Sequence, residues 1–262
     1  MPSIAGQSIL VIGGSSGIGA AVARLAFEQG VRVSIASSNA SRVAAAVDKI
    51  QKAHPGGGAT SAAGAGSIHG FTIDLERPDV ERALEQLLAD VTGNGGGKLD
   101  HVVLTAGRPS MRGLASLDRQ FILAQSQLAV VAPALVAKLA PRFLNHGFRS
   151  SITFCGGRLF ARPMPGWPTA AMSAGALEGL TRALALDLAP VRVNVVHPGA
   201  TETEMWGATP EQRRPRREIL ARSALLGKVG TPEEVAESFL YLMRDSNITG
   251  TAIDTSGGVL LQ

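Results

Sequence analysis

The sequence predicts an α/β fold built on a doubly wound parallel sheet, and three observations predict it. Short β-rich runs alternate with segments of helical period from one end of the chain to the other. The apolar content, 45% of 262 residues with aromatics at only 4%, is dominated by small side chains, which suits helices packed closely on a sheet. A glycine-rich turn joins the first strand to the first helix, where folds of this class hold phosphate.

The candidate strands are Ser8–Ile12, Val31–Ala36, Ile68–Ile73, His101–Thr105, Ser151–Phe154, Arg192–Val196 and Ala252–Asp254. Helical periods occupy Ala20–Gln29, Val80–Asp90, Gln120–Leu139, Ala174–Leu188 and Pro232–Met243. Short connections and right-handed crossovers then place helices on both faces of the sheet. His54–Gly66 and Thr92–Gly97 break the rhythm and are read as loops, because the alternation resumes in phase after each. No internal repeat is present, so one domain over residues 1–262 is expected.

The formal charge of +4 is scattered rather than striped, so no nucleic-acid footprint is expected. Arg213, Arg214, Arg216 and Arg217 are read as the solvated face of a surface helix, with a basic lid over an anionic group as the alternative. The one cysteine, Cys155, excludes an intrachain disulfide or a cysteine metal cluster, and its apolar run marks it as a buried thiol. No metal site is expected. The first residues lack the basic and apolar regions of a signal peptide, and no apolar run is read as spanning a bilayer. A soluble, cytoplasmic protein without a membrane partner is the expectation.

The turn reads Gly13-Gly14-Ser15-Ser16-Gly17-Ile18-Gly19. Its glycines permit a tight bend and let a pyrophosphate approach bare backbone, facing the positive end of the next helix. At the end of the second strand, where an acid usually selects NAD, stand Ala36-Ser37-Ser38-Asn39, with Arg42 one turn on. Hydroxyl and amide donors plus a cation suit a 2′-phosphate, so NADP(H) is expected over NAD(H). The alternative is that these polar residues cap the following helix.

With those residues the chain resembles the classical short-chain dehydrogenase/reductase family nearly end to end. The family's T-G-x-x-x-G-x-G loop appears with Ile12 in the threonine place. Asp74-Leu75 resembles its adenine-contacting pair, and Thr105-Ala106-Gly107 stands where N-A-G closes the fourth strand. Arg192-Val193-Asn194 and Pro198-Gly199 match its R-V-N…P-G segment, which implies that Thr201 and Thr203 lie against the carboxamide and pyrophosphate. Gly257-Gly258 corresponds to its D-G-G, with Ser256 in place of the acid. The resemblance implies a Rossmann-type sheet of about seven strands. It also implies NADP(H) as cofactor, a small-molecule substrate, and a homodimer or homotetramer paired through the helices Gln120–Leu139 and Ala174–Leu188.

The resemblance stops at the family's chemistry, which uses a tyrosine, a lysine, a serine and an asparagine. The family's helix ends in a sequence matched by Glu178-Gly179-Leu180-Thr181-Arg182, and counting back puts Ala170 at the tyrosine place and Ala174 at the lysine place. Gly157 stands at the serine place, and Gln125–Val131 contains no asparagine. The one tyrosine, Tyr241, lies in the last helix and is read as packing. Arg162-Pro163-Met164-Pro165-Gly166-Trp167-Pro168 forms a stiff wall and resembles a divergent, largely fungal branch that includes iminium reductase/Diels–Alderases. That branch carries an aspartate and an arginine where this chain has Met164 and approximately Ala129.

Losing a positioned acid typically costs carbonyl reduction about 10²–10⁴ in rate. An iminium or similarly activated acceptor needs no such proton, and a cyclisation needs only a shaped apolar pocket. Three readings follow: an NADPH-dependent reductase of an activated small molecule in secondary metabolism, a non-redox cyclase or isomerase, and a non-catalytic dinucleotide-binding protein. Gly157, Arg158, Met164, Trp167, Met205 and Trp206 are the expected substrate pocket, with Glu204–Trp206 as a lid. His197, Glu202 and Glu204 are weighed as substitute acids, Arg108, Arg158 and Arg162 as holders of an anionic substrate, and no catalytic residue is assigned.

Overall fold

The computed structural model describes residues 2–54, 66–93 and 97–262. Seven parallel strands form one sheet: β1 (Ser8–Ile12), β2 (Arg32–Ser37), β3 (Ile68–Thr72), β4 (His101–Leu104), β5 (Ser151–Cys155), β6 (Arg192–Pro198) and β7 (Ala252–Thr255). Their order is β3-β2-β1-β4-β5-β6-β7, so the chain reverses direction across the sheet between β1 and β4. Each strand lies within two residues of its sequence-predicted bounds. Of the two expected loops, residues 55–65 and 94–96 lie outside the described residues. Thr92 and Gly93 belong instead to a helix, where the Thr92 hydroxyl donates to the Leu88 carbonyl at 2.8 Å.

Strands in such a sheet are apolar on both faces because helices cover both. Leu10 and Ile12 of β1 join one core, with Leu84, Leu104, Val136 and Phe154. Ile9 and Val11 join the other, with Val22, Phe27, Val235 and Phe239. The helices α1 (Gly17–Glu28), α2 (Ala40–Ala53) and α8 (Pro232–Arg244) serve the second core; α3 (Val80–Gly93), α5 (Ala132–Leu139) and α6 (Pro168–Asp187) serve the first.

The helix expected over Gln120–Leu139 is broken. It consists of α4 (Arg119–Ser126), one π turn over Gln127–Val131, and α5. Pro133 has no N–H to return to the Ala129 carbonyl, so the ladder loosens, and the Ala132 N–H reaches back to the Gln127 carbonyl. The stretch Arg119–Arg142 is also long and apolar enough to cross a membrane by length and composition, at a mean hydropathy of 1.6. That corrects the expectation that no apolar run is long enough; here the stretch packs along α3 and α6. Helix α6 starts at Pro168, six residues before its expected start, because a proline suits the first turn, where its missing N–H costs nothing.

The Arg-Val-Asn motif of β6 has a structural role. The buried Arg192 guanidinium donates to the carbonyls of Phe148 (2.6 Å), Leu242 (2.6 Å), Met243 (3.2 Å) and Ile248 (3.3 Å), satisfying the C-terminal end of α8. Asn194 ties β6 to the segment before β7 through Ile248 and Thr251.

Fully buried His101 on β4 lies 2.8 Å from the Ser151 hydroxyl and 2.9 Å from Gln7 Oε1. With Gln7 as an acceptor, Nε2 carries the proton and Nδ1 accepts from Ser151. Burial pushes the imidazole pKa down to about 3. Its folded value lies below the ordinary 6.5, so the unfolded chain binds this proton first, and stability falls as pH drops from 6.5 toward 3. From pH 7 to pH 5 the residue is expected to remove about 2 kcal/mol of stability. Urea unfolding of wild type and His101→Gln at both pH values checks this; the variant should lose correspondingly less on acidification.

Candidate active site

The turn after β1 is built without room for side chains. Gly13 has φ +95°, and a Cβ there would meet the Ala106 nitrogen at 2.5 Å. A Cβ on Gly19 would meet the Gly13 carbonyl oxygen at 2.3 Å and Thr105 Oγ1 at 2.4 Å. These contacts draw the start of α1 against the ends of β1 and β4, together with Thr105 and Ala106. Ser16 begins α1 without a side-chain cap, and no acid stands in the first turn. A carboxylate from elsewhere takes the anion's place: the Gly17 N–H donates to Glu204 Oε2 at 3.0 Å. Ser15 and Ile18 are half-buried beside it. The cradle therefore fits a phosphate group, with a carboxylate as stand-in.

Beyond β2, Ser37 is half-buried and Ser38, Asn39 and Arg42 are exposed. Asn39 caps α2, its Oδ1 accepting from the Arg42 N–H at 2.8 Å, as the alternative reading of this segment expected. Asp74 is exposed and closes a turn on the Glu76 N–H, while the carbonyl of buried Leu75 accepts from Gln127 Nε2 at 3.0 Å. On the far side, Pro198 ends β6. The Gly199 N–H donates to Thr255, and a Cβ at Gly199 would lie 2.7 Å from the Ser256 Cα. Thr201 is buried, and Thr203 packs on Gly17.

A cavity of about 140 Å³ lies at the ends of β4 and β5, beneath the kinked helix and α6. Ala106, Gly107, Gly157, Ala170 and Ala174 line it, with Leu128, Ala129, Phe154, Leu159 and Leu177. Its ionisable lining is Arg108, whose guanidinium pairs with Glu76 at 3.1 Å, and Cys155, whose thiol burial pushes up to about 12. His197 sits behind this wall, fully buried. Its Nδ1 accepts from the Gly157 N–H at 3.0 Å, its Nε2 donates to Glu178 at 3.0 Å, and the Phe160 ring lies 4.3 Å away.

Comparison with known proteins matches this architecture. A family model described as an SDR-like Rossmann domain covers residues 2–262. The chain is a short-chain dehydrogenase/reductase. The short-chain dehydrogenase/reductase ATR9 of Stachybotrys chlorohalonatus is 49% identical over the full length of both chains. The short-chain dehydrogenase/reductase malC of Malbranchea aurantiaca is 37% identical, over 98% of this chain and 96% of its own. The solved structure of the MalC reductase/Diels-Alderase superposes with a TM-score of 0.89 at 36% identity, covering 98% of this chain and 97% of that one. Members of the family bind nicotinamide dinucleotides and act on small molecules.

Among the expected pocket residues of this dehydrogenase/reductase, Gly157 lines the cavity. Half-buried Arg158 reaches Met164 Sδ at 3.0 Å instead, and Arg162 donates to the Val259 carbonyl. Trp167, Met205 and Trp206 stand outside the lining. The Gln125–Pro133 side of the cavity includes the Gln125–Val131 stretch compared with the family's asparagine place and Ala129, although none of it stood among the expected pocket residues. The basic run is also more than a solvated face. Arg213 and Arg217 clamp Glu202 at 3.2 and 3.3 Å, and Arg216 lies over the Trp206 ring, binding the 202–206 segment to α7 (Pro210–Ala221). Tyr241 donates to Asp245 on the opposite helix layer.

Gly156 generates a prediction, because a Cβ there would lie 2.4 Å from His197 Nδ1. Gly156→Ala is expected to destabilise the fold by about 1–3 kcal/mol by overpacking against a ring that cannot retreat. Chemical denaturation reads the loss.

Proposed function

We propose that the protein is an NADP(H)-dependent reductase of an activated, iminium-like small molecule in secondary metabolism, working without a side-chain proton relay. The observation that carries this is the lining of the cavity: among the described residues it holds no histidine, carboxylate, lysine or tyrosine. Burial raises the Cys155 thiol to about 12, far from the pKa match that acid–base catalysis near neutral pH favours. A bound nicotinamide dinucleotide supplies hydride, and an acceptor carbon that is already electrophilic needs little else but position.

Gly13, Ser15, Ser16, Gly17, Ile18 and Gly19 would cradle the pyrophosphate; Ser37, Ser38 and Arg42 would hold the 2′-phosphate. Arg42 is exposed and pairs with no acid among the described residues, which suits an external anion. Asp74, Leu75, Thr105, Ala106 and Gly107 would border the adenosine and ribose. Pro198, Gly199, Thr201 and Thr203 would border the nicotinamide side, where Glu204 must leave the Gly17 N–H as phosphate arrives. A second copy would pair along α4, α5 and α6, where Leu123, Val131, Met172 and Leu186 are exposed.

One observation favours a second reading. The structural relative from Malbranchea aurantiaca is named both a reductase and a Diels-Alderase, and an acid-free apolar cavity serves a concerted cyclisation equally well. Product formed without dinucleotide consumption identifies that activity.

Two measurements test the proposal. Calorimetric titration should show NADPH bound more tightly than NADH, with Arg42→Ala narrowing the preference about tenfold. A preformed N-alkyl iminium should be reduced at least about 10²-fold faster than the ketone of the same skeleton. Equal rates on the two would overturn the reading.

A further inference from the structure

The cavity also carries information about what part of a substrate enters it, given the reading above that it is the substrate site. Several polar groups of its lining are already committed to the protein. The Gly156 N–H donates to the Val196 carbonyl at 2.8 Å, and the Gly157 N–H donates to His197 at 3.0 Å. The Ala106 N–H donates to the Ile12 carbonyl at 3.2 Å. Gln125 turns its Oε1 to the Ser110 N–H at 3.2 Å, and Arg108 turns to Glu76. Among the described residues, Ser173 is the one side-chain hydroxyl on the lining.

A charged or hydrogen-bond-rich group would leave water here for a lining that is mostly apolar, and burying an ion without a matched partner would cost several kcal/mol. A hydrocarbon group would exchange water for Leu128, Ala129, Phe154, Leu159 and Leu177 at no such cost. The size is equally selective. Cavities of about 150 Å³ with aliphatic walls take up benzene, and this one measures about 140 Å³. The apolar character continues outward along the segment that contributes Arg108 and Pro109. Met111 and Leu114 are 67% and 79% exposed there, and the segment is pinned to the Pro-Gly-Trp wall by the Arg112 N–H on the Gly166 carbonyl at 2.9 Å.

We propose that this cavity receives a compact, uncharged hydrocarbon portion of the substrate, of the size of one six-membered ring or a branched five-carbon unit. The reacting centre then lies at its mouth, beside Gly107 and Gly157.

Benzene serves as the probe, with benzoate as the charged counterpart of similar shape, and each is titrated into the intact protein by calorimetry and thermal unfolding. Benzene is expected to bind and raise the Tm while benzoate does not, and Ala129→Leu, which fills the space, is expected to weaken benzene at least about tenfold. Where that variant does not fold, Leu128→Ala replaces it, and the enlarged space should shift preference from benzene toward p-xylene. Absence of benzene binding, benzoate binding as tightly as benzene, or benzene affinity untouched by both variants overturns the proposal. NADPH is titrated into the same samples: loss of its binding with benzene uptake intact strikes the cofactor reading and leaves this inference standing.

Discussion

Everything in this molecule is arranged around one steric constraint, the contact of Gly19 with the Gly13 carbonyl and the Thr105 hydroxyl. No Cβ fits at that junction, so the first turn of α1 is pressed into the angle between β1 and β4. Those two strands lie where the chain reverses direction across the sheet, and in open α/β sheets the crevice at such a point is where ligands bind. The bare amide of Gly17 faces into it, and Glu204 comes from the other half of the sheet to meet that amide. The crevice is thus closed by electrostatics at one end and shaped by the absence of side chains at the other.

The same economy of side chains shapes the cavity. Ala106, Gly107, Gly157, Ala170 and Ala174 each present a methyl group or less to it. The groups that could transfer a proton are held in the surrounding layer. His197 spends one ring nitrogen on Gly157 and the other on Glu178, under Phe160, so it fixes the wall rather than entering the space. Arg158 and Arg162 are turned to Met164 and to the Val259 carbonyl. Shape, apolar contact and position are therefore what this site offers a substrate.

The sheet was legible in the sequence because buried parallel strands are short, apolar and separated by helical periods, and each strand lies within two residues of its expected bounds. The phosphate turn was legible because its glycines answer to backbone geometry alone. The helix kink at Gln127–Val131 was not, since a proline inside an apolar period signals a break without saying that the ladder will widen into a π turn. Nor was the basic run on α7, whose partners Glu202 and Trp206 sit in a different segment and meet it only in the fold. The placement of His197 was hidden for the same reason: Glu178, Gly157 and Phe160 come from α6 and the turn after β5, remote in sequence from β6. Trp167 and Trp206 lie outside the cavity lining, the one at the start of α6 and the other under Arg216.

The central claim is that the chemistry proceeds without a titrating side chain in the cavity. The pH dependence of kcat, with NADPH and a preformed N-alkyl iminium, tests it most directly. A profile flat across about pH 6–8 is what an acid-free site gives, whereas a step or bell with an inflection in that range would reveal a proton-transferring group and contradict the account.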